Sequence, residues 1–255
     1  MNNELRYGRF TSSEIYKLTK KGKAKDELFG DPAKKYIASR GFERKLKRSL
    51  NSSSSPRPLQ WGKCVEQVCF DMLPTDYVLQ SNETIAHPEF PFIAGTPDAI
   101  RFKPKKIVGD IKCPETLESF CTLIEAYNQG GFDMVREKHS DGEKFYWQLV
   151  NNAILTNSDS AELIVFAPSD EHYESVVSEA QLWGFNWIGS APKSDLPFLP
   201  SDSEYKSLNI LSVEIPQADR DRLIYLACQA EALIPTPQIL TIHDKDVTVF
   251  DQLPG

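Results

Sequence analysis

Two apolar rhythms alternate along the chain. Between residues 62 and 73, Val65, Val68, Cys69 and Met72 recur at three- and four-residue spacing. That spacing predicts an amphipathic helix with Glu66 on the flank of its buried stripe. From residue 94 to 113 the rhythm shortens to that of strands: residues 98–102 and 107–112 flank Lys103-Pro104-Lys105-Lys106, which predicts a hairpin. Helical spacing returns over residues 115–127 and 143–156, separated by Gly130-Gly131 and a polar run. Residues 161–167 make a short, almost wholly apolar strand, 208–215 a second, and a helix follows over 217–233. Upstream, Thr11-Ser12-Ser13-Glu14 opens a helix over 11–20. Asp31-Pro32 opens another over 31–48, studded with Lys and Arg. Residues 51–58 predict a loop by composition, and the Pro- and Ser-rich stretch 190–203 predicts an exposed one. With no internal repeat and no linker, the economical reading is one α/β domain of mixed strands and flanking helices.

Composition narrows the class. Hydrophobic residues make up 40% and charged residues 25% of 255, ordinary for a soluble enzyme. The longest apolar stretches, such as residues 163–167, are too short to cross a membrane, and residues 1–9 lack the apolar core of a signal peptide. Cys64, Cys69, Cys113, Cys121 and Cys228 form no Cys-x-x-Cys pair, which fits inert thiols in a reducing cytoplasm. The net charge of −7 hides a polarity: residues 1–63 hold 16 Lys and Arg against 6 Asp and Glu, leaving 13 against 30 for the remainder. A basic N-terminal quarter reads either as a surface for a polyanion or as a solvated helix face.

The chemistry concentrates in the hairpin. Asp110 and Lys112 are two apart in a strand, so both side chains leave one face, while Ile111 points away and offers its carbonyl. Asp98 on the other arm can approach Asp110 across the ladder. Carboxylates so placed hold a divalent cation for phosphodiester hydrolysis, and an ammonium beside a metal-bound water orients or deprotonates it. An acidic-x-Lys triplet alone says little, since Glu43-Arg44-Lys45 and Glu204-Tyr205-Lys206 also occur. The Asp110 triplet differs because it ends an apolar strand, where an unpartnered charge is costly. A structural salt bridge beside a turn is the alternative.

Pro97-Asp98 followed by Asp110-Ile111-Lys112 resembles the signature of the PD-(D/E)XK nuclease superfamily. Gly95-Thr96-Pro97-Asp98-Ala99 with Gly109-Asp110-Ile111-Lys112-Cys113-Pro114 is similar to its phage lambda exonuclease-like (YqaJ-type viral recombinase) branch. Three further segments match in order. Trp61-Gly62-Lys63 with Glu66 resembles the helix that supplies an additional metal-site glutamate. Gln148 sits where that family has its motif glutamine. Arg6-Tyr7-Gly8-Arg9-Phe10-Thr11-Ser12-Ser13-Glu14 resembles its 5′-phosphate-binding segment. The resemblance spans roughly residues 5–170, with a looser echo over 208–233. Residues 190–203 depart from it as an apparent insertion. Val150 replaces a second glutamine, so that amide's role does not transfer.

The resemblance implies a restriction-endonuclease-like α/β core, a mixed central sheet flanked by helices, in a single nuclease domain over 1–255. Its parts are a basic helical part (1–63), a catalytic core (64–170), and a C-terminal extension with loop insertion, strand and helix (171–255). It implies a Mg²⁺-dependent 5′→3′ exonuclease on double-stranded DNA ends, with Mn²⁺ as a substitute, leaving 3′ single-stranded tails for recombination. Asp98, Asp110, Glu66 and the Ile111 carbonyl hold the metal, and Lys112 and Gln148 complete the catalytic set. Arg6, Thr11 and Ser13 bind the terminal phosphate, and Lys45, Lys47 and Arg48 follow the DNA backbone. The implied setting is a bacterial or phage-infected cytoplasm, with a single-strand annealing protein as partner, a homotrimer as assembly and no membrane. The competing readings are an endonuclease or helicase-associated nuclease of the same superfamily, or a nuclease-fold DNA-binding module without catalysis. A nucleotide-driven motor is disfavoured because no Gly-x-x-x-x-Gly-Lys-Ser/Thr segment occurs. Zinc hydrolysis is disfavoured because His87, His139, His172 and His243 are isolated.

The charge split is directly testable. Duplex DNA affinity falls steeply with salt, and neutralising Lys45, Lys47 and Arg48 together flattens that slope in binding isotherms. An unchanged slope assigns those three residues to solvent.

Overall fold

The computed structural model describes residues 5–24, 26–50, 56–79 and 83–235. The chain opens with β1 (Phe10–Thr11) and a 3₁₀ turn (Ile15–Thr19), then α1 (Asp31–Leu46) and α2 (Arg57–Asp71). Short strands follow: β2 (Tyr77–Leu79), β3 (Ile85–Ala86), β4 (Ile93–Gly95), β5 (Ala99–Arg101) and the longer β6 (Ile107–Lys112). Next come α3 (Leu117–Lys138), α4 (Gly142–Thr156), β7 (Ser160–Phe166), α5 (Tyr173–Trp183), α6 (Asn186–Ser190), β8 (Leu208–Val213) and α7 (Gln217–Ala232). Five strands form one mixed sheet in the order β2-β5-β6-β7-β8, and β1-β4-β3 form a small second sheet. The architecture is the mixed α/β one that the periodicities imply.

The central pair explains where the helices lie. β6 and β7 run parallel, with Asp110 opposite Leu163. Parallel neighbours cannot be joined by a tight turn, so the chain must cross over a sheet face. α3 and α4 make that crossover. Alternation along the strands then divides the interior. Val108, Leu163, Val165, Leu211 and Val213 face the larger core, which also takes in Leu149, Val150 and Ala153 of α4. Ile111, Ile164 and Phe166 face a smaller core closed by Trp61, Val65 and Val68 of α2 and by Val176 and Ala180 of α5.

Several elements differ from expectation for identifiable reasons. The segment 11–20 is not one helix: Phe10 donates its N–H to Phe92 O at 2.7 Å and Ser12 to Ala94 O at 3.1 Å, so the chain is extended until the 3₁₀ turn. α2 begins at Arg57, with a proline in its first turn where no N–H is needed; residues 51–55 of the expected loop lie outside the described residues. α3 runs past Gly130-Gly131 with a kink, for which Gly131 adopts φ 69°, a conformation open to glycine. Residues 190–203 are not an exposed loop, because Leu196, Phe198 and Leu199 are buried. Phe198 sets its ring edge-on to Trp61 at 5.6 Å, and Leu199 donates its N–H to Pro168 O at 2.8 Å. Among the described residues no helix is long and apolar enough to cross a membrane.

The basic N-terminal quarter is partly spent on internal ion pairs. Glu43 is buried and accepts the N–H of Gly8 at 2.7 Å and of Leu50 at 3.0 Å. It also pairs with the Arg40 guanidinium at 2.9 Å. Arg44 donates to Gly8 O at 2.7 Å and holds Glu231 of α7 through both terminal nitrogens, each at 2.7 Å. Gly8 has φ +70°, and a Cβ there would meet Arg44 Cγ at 2.5 Å, so the turn before β1 is clamped to α1. Lys34 pairs with Glu27. Lys45, Lys47 and Arg48 stay exposed at the end of α1.

Glu43→Ala therefore strands a buried guanidinium, since Glu14, the other acid near Arg40, is 3.9 Å away. The expected loss is about 3–5 kcal/mol in denaturant unfolding, against roughly 0.5 kcal/mol or less for the exposed Lys35→Ala. Equal, small losses would show that Glu43 contributes no clamp.

Candidate active site

β6 ends where acidic, basic and amide side chains converge on a buried carboxylate. Asp110 is 0% exposed and faces the larger core, beneath α4. Because α4 crosses over from β6 to β7, it passes directly above that position. Gln148 donates its amide to Asp110 Oδ1 at 2.6 Å, and Asn152, one turn later, reaches the same oxygen at 3.3 Å. The Lys112 ammonium lies against Asp110 Oδ2, as expected for positions two apart in a strand. No aligned hydrogen bond reaches that oxygen. Lys112 also approaches the Ile111 carbonyl at 3.4 Å, and its Nζ sits 5.7 Å from the centre of the Phe145 ring.

Asp98 comes in from the turn between β4 and β5 and accepts the Ile111 N–H at 2.8 Å. Its pKa is raised well above the usual carboxylate range, by burial first and then by the negative charges of Asp110 and Glu66. Glu66, on α2, is raised by burial, with Asp110 adding and Lys112 and Lys63 opposing. For Lys112, burial pulls downward, but Asp110, Asp98 and Glu66 together outweigh it and leave the ammonium favoured. Three carboxylates and one lysine thus feel one another, from elements far apart in sequence.

The donor set suits a hard divalent cation: carboxylate oxygens and a backbone carbonyl are what Mg²⁺ selects. Crowded carboxylates, with Asp98 and Glu66 raised in pKa, are what such a charge would relieve. The cage is not closed, however. Among the described residues no group of three or more His, Cys, Asp or Glu side chains stands in a metal-holding arrangement. Asp110 is instead held by Lys112, Gln148 and Asn152.

The N-terminal segment lies beside this cluster. β1 runs parallel to β4, with Thr11 opposite Ala94, shortly before the turn that carries Asp98. Thr11 is buried and gives its N–H to the Tyr36 hydroxyl at 2.9 Å; Ser13 and Arg6 are half-buried. No hydrogen bond or ion pair among the described residues joins Lys45, Lys47 or Arg48 to the carboxylates. Four polar residues here were not singled out from sequence. Ser12, Asn151 and Asn152 are buried, and Asn151 gives its amide to Ser12 Oγ at 2.7 Å and Ala94 O at 3.2 Å. Arg9 Nη1 is buried without a hydrogen-bond partner. The available signal was the pair Asn151-Asn152 inside an otherwise apolar helix, where asparagine is a poor helix former.

A second buried ionic group, Glu162 on β7, accepts from Arg101 at 2.6 Å and from the Tyr77 hydroxyl at 2.5 Å. It lies in register with Gly109, so it faces the smaller core and is separate from Asp110.

No protein-family model matches this chain, and no curated protein is significantly similar to it. Solved structures are. The fold is that of a group of bacterial and phage-related exonucleases. The alkaline exonuclease LHK-Exo from Laribacter hongkongensis is similar at a TM-score of 0.57, with 15% identity, over 90% of this chain and 89% of that one. Its complex with dAMP gives 0.56, with 16% identity, over 90% and 91%. A phage-related exonuclease from Haemophilus somnus 129PT gives 0.58, with 17% identity, over 90% and 95%.

The raised Asp98 pKa has a consequence for stability. A carboxylate whose folded pKa exceeds its unfolded value of about 3.9 leaves the folded state holding more protons between the two. Stability therefore falls as pH rises through that window, and the penalty is fully present above it. Asp98→Asn keeps an oxygen for the Ile111 N–H but does not ionise. In chelator, its melting temperature should exceed that of the wild type above the window and lose this pH dependence. A variant less stable than wild type at neutral pH would contradict the crowding of charge at Asp98.

Proposed function

We propose that this protein is a divalent-cation-dependent 5′→3′ exonuclease that digests double-stranded DNA from its ends and leaves 3′ single-stranded tails for recombination. One observation carries the reading: Glu66, Asp98, Asp110, Lys112 and Gln148, drawn from α2, a turn, β6 and α4, come together on an exonuclease fold. LHK-Exo, crystallised with dAMP, is a neighbour of that fold. The sequence resemblance to the PD-(D/E)XK superfamily rests on the same residues.

Glu66, Asp98, Asp110 and the Ile111 carbonyl would hold Mg²⁺ or Mn²⁺. When bound, the cation supplies charge for the phosphate oxygens and lowers the pKa of a water. The chain's own residues do the rest. Lys112 is kept as an ammonium by the surrounding carboxylates. It therefore acts by orienting the attacking water and offsetting charge at the scissile phosphate, rather than as a resting base. Gln148 fixes the Asp110 carboxylate. The water oxygen bonds to phosphorus, the bond from phosphorus to the 3′ oxygen breaks, and the departing oxygen takes up a proton. Arg6, Thr11 and Ser13 bind the terminal 5′-phosphate, whose extra charge favours a guanidinium and hydroxyl donors. Lys45, Lys47 and Arg48, exposed at and just past the C-terminal end of α1, follow the backbone. A ring of three chains and a single-strand annealing partner complete the proposal by resemblance.

The deciding experiment uses a linear duplex labelled at either end, with Mg²⁺, with and without a 5′-phosphate, beside a covalently closed circle. The expected result is metal-dependent loss of the 5′ label, faster on phosphorylated ends, with the circle untouched. Asp110→Ala lowers the rate on the order of a thousandfold or more. Lys112→Ala still binds DNA and metal but cleaves very slowly. Rapid cutting of closed circles, with indifference to the 5′ end, would leave an endonuclease on the same fold. Full activity of Asp110→Ala would remove the site assignment.

A further inference from the structure

α4 carries more of the site than its motif glutamine. Asn151 and Asn152 are both 0% exposed, in the middle of a helix that otherwise presents Leu149, Val150 and Ala153 to the core. Successive helical residues diverge by about 100°, so the two amides reach different targets. Asn152 turns toward β6 and gives its Nδ2 to Asp110 Oδ1. Asn151 turns toward β1 and β4, giving its Nδ2 to Ser12 Oγ and Ala94 O. Each amide leaves its Oδ1 buried with no donor. A buried, unsatisfied acceptor costs about 1–3 kcal/mol, so each asparagine carries a local cost that is offset only through what its Nδ2 holds: the Asp110 carboxylate for Asn152, and Ser12 and Ala94 for Asn151.

Gly95 shows how tightly these elements meet. A Cβ on it would lie 2.0 Å from Ser12 Oγ, 2.7 Å from Leu155 Cδ1 and 3.2 Å from Asn152 Oδ1. β1, β4 and α4 therefore close on a bare backbone position three residues before Asp98. The end-binding segment and the cation-binding carboxylate are both referred to one turn of α4.

We propose that Asn151 and Asn152 are paired positioning residues: Asn152 fixes the Asp110 carboxylate for the cation, and Asn151 fixes the strand that carries the terminal-phosphate residues. The proposal rests on the nuclease reading above and adds that one helix sets the spacing between end recognition and hydrolysis. Outer partners of a metal-binding carboxylate typically contribute 10–100-fold to metal affinity.

The test crosses two variants with two readouts. Mn²⁺ and Mg²⁺ affinities are measured calorimetrically on purified protein without DNA. The ratio of digestion rates on 5′-phosphorylated and 5′-hydroxyl ends is measured at saturating metal. Asn152→Leu should weaken metal binding by about 10–100-fold and keep the end preference. Asn151→Leu should keep metal affinity and lose most of the end preference. Metal-free melting curves check folding, and the alanine variants replace leucine ones that pack poorly. Loss of both properties in both variants would mean general loosening of α4 and would overturn the proposal. Asp110→Ala separates the levels. If it abolishes metal binding while Asn152→Leu leaves the affinity unchanged, the positioning role alone fails. If it binds metal normally, the cation site fails and the proposal fails with it.

Discussion

Asp110 is fully buried, and its carboxylate is kept there by the Lys112 ammonium on one oxygen and by the Gln148 and Asn152 amides on the other. A carboxylate without such company is expensive in a low-dielectric interior. The geometry that supplies the company is narrow. Lys112 reaches Asp110 because the two share a strand face. The amides reach it because the parallel pairing of β6 and β7 forces the chain across that face. Shift the strand by one residue and Asp110 would point into the smaller core, among Ile111, Ile164 and Phe166. The sheet register and the site are thus one constraint.

The basic N-terminal quarter meets the same site through a different kind of contact. Its net charge reads either as a surface for a polyanion or as a solvated helix face, and part of it is neither: Arg40 and Arg44 are occupied by Glu43 and Glu231, and Lys34 by Glu27. Glu43 and Arg44 clamp the turn at Gly8 to α1, and Arg44 ties it on to α7, ahead of the pairing of β1 with β4. Charge counted along a sequence does not distinguish a guanidinium that faces solvent from one that organises a turn. The exposed Lys45, Lys47 and Arg48 are the remainder available to a backbone of phosphates on α1's C-terminal end.

How much could be read beforehand follows from which physical signal each element carries. β6 was expected over residues 107–112 and spans Ile107–Lys112, because an apolar run ending in charge contrasts sharply with a Lys-Pro-Lys-Lys turn. β7, β8 and α7 were placed within a residue or two for the same reason. α5 was not foreseen: only Val176 and Ala180 of its residues are buried, too sparse a stripe to stand out. Residues 190–203 were misread because Pro and Ser dominate the composition, while three apolar residues decide the packing. The helix after Gly131 was missed because glycine marks a break by propensity, and here it marks only a kink. Asp98, Asp110, Lys112, Glu66 and Gln148 were singled out by motif, and the structure brings them together. Asn151 and Asn152 were not, since mid-helix asparagine carries no motif and acquires meaning only from what crosses beneath it.

That last difference bears on what kind of place the Asp110 cluster is. Among the described residues, six buried side-chain nitrogen or oxygen atoms lack an aligned hydrogen bond; two are the Asn151 and Asn152 amide oxygens, and a third, on Asp110, is in ion-pair contact with Lys112. Two other deeply buried acids, Glu43 and Glu162, have both oxygens engaged: Glu43 by Gly8, Arg40 and Leu50, Glu162 by Arg101 and Tyr77. A fold optimised only for stability would treat all three alike. Here Glu43 and Glu162 are closed by their own neighbours, while the Asp110 cluster has Asp98 and Glu66 raised in pKa and two amide oxygens without a donor. Local costs gathered around Asp110, in a largely apolar core, are what a fold tolerates where a site serves more than stability. The same concentration ties the neighbouring segment, through Ser12, to the helix that holds the carboxylate. An end of DNA bound at one and a phosphate cleaved at the other would then be kept at a fixed separation by the fold itself.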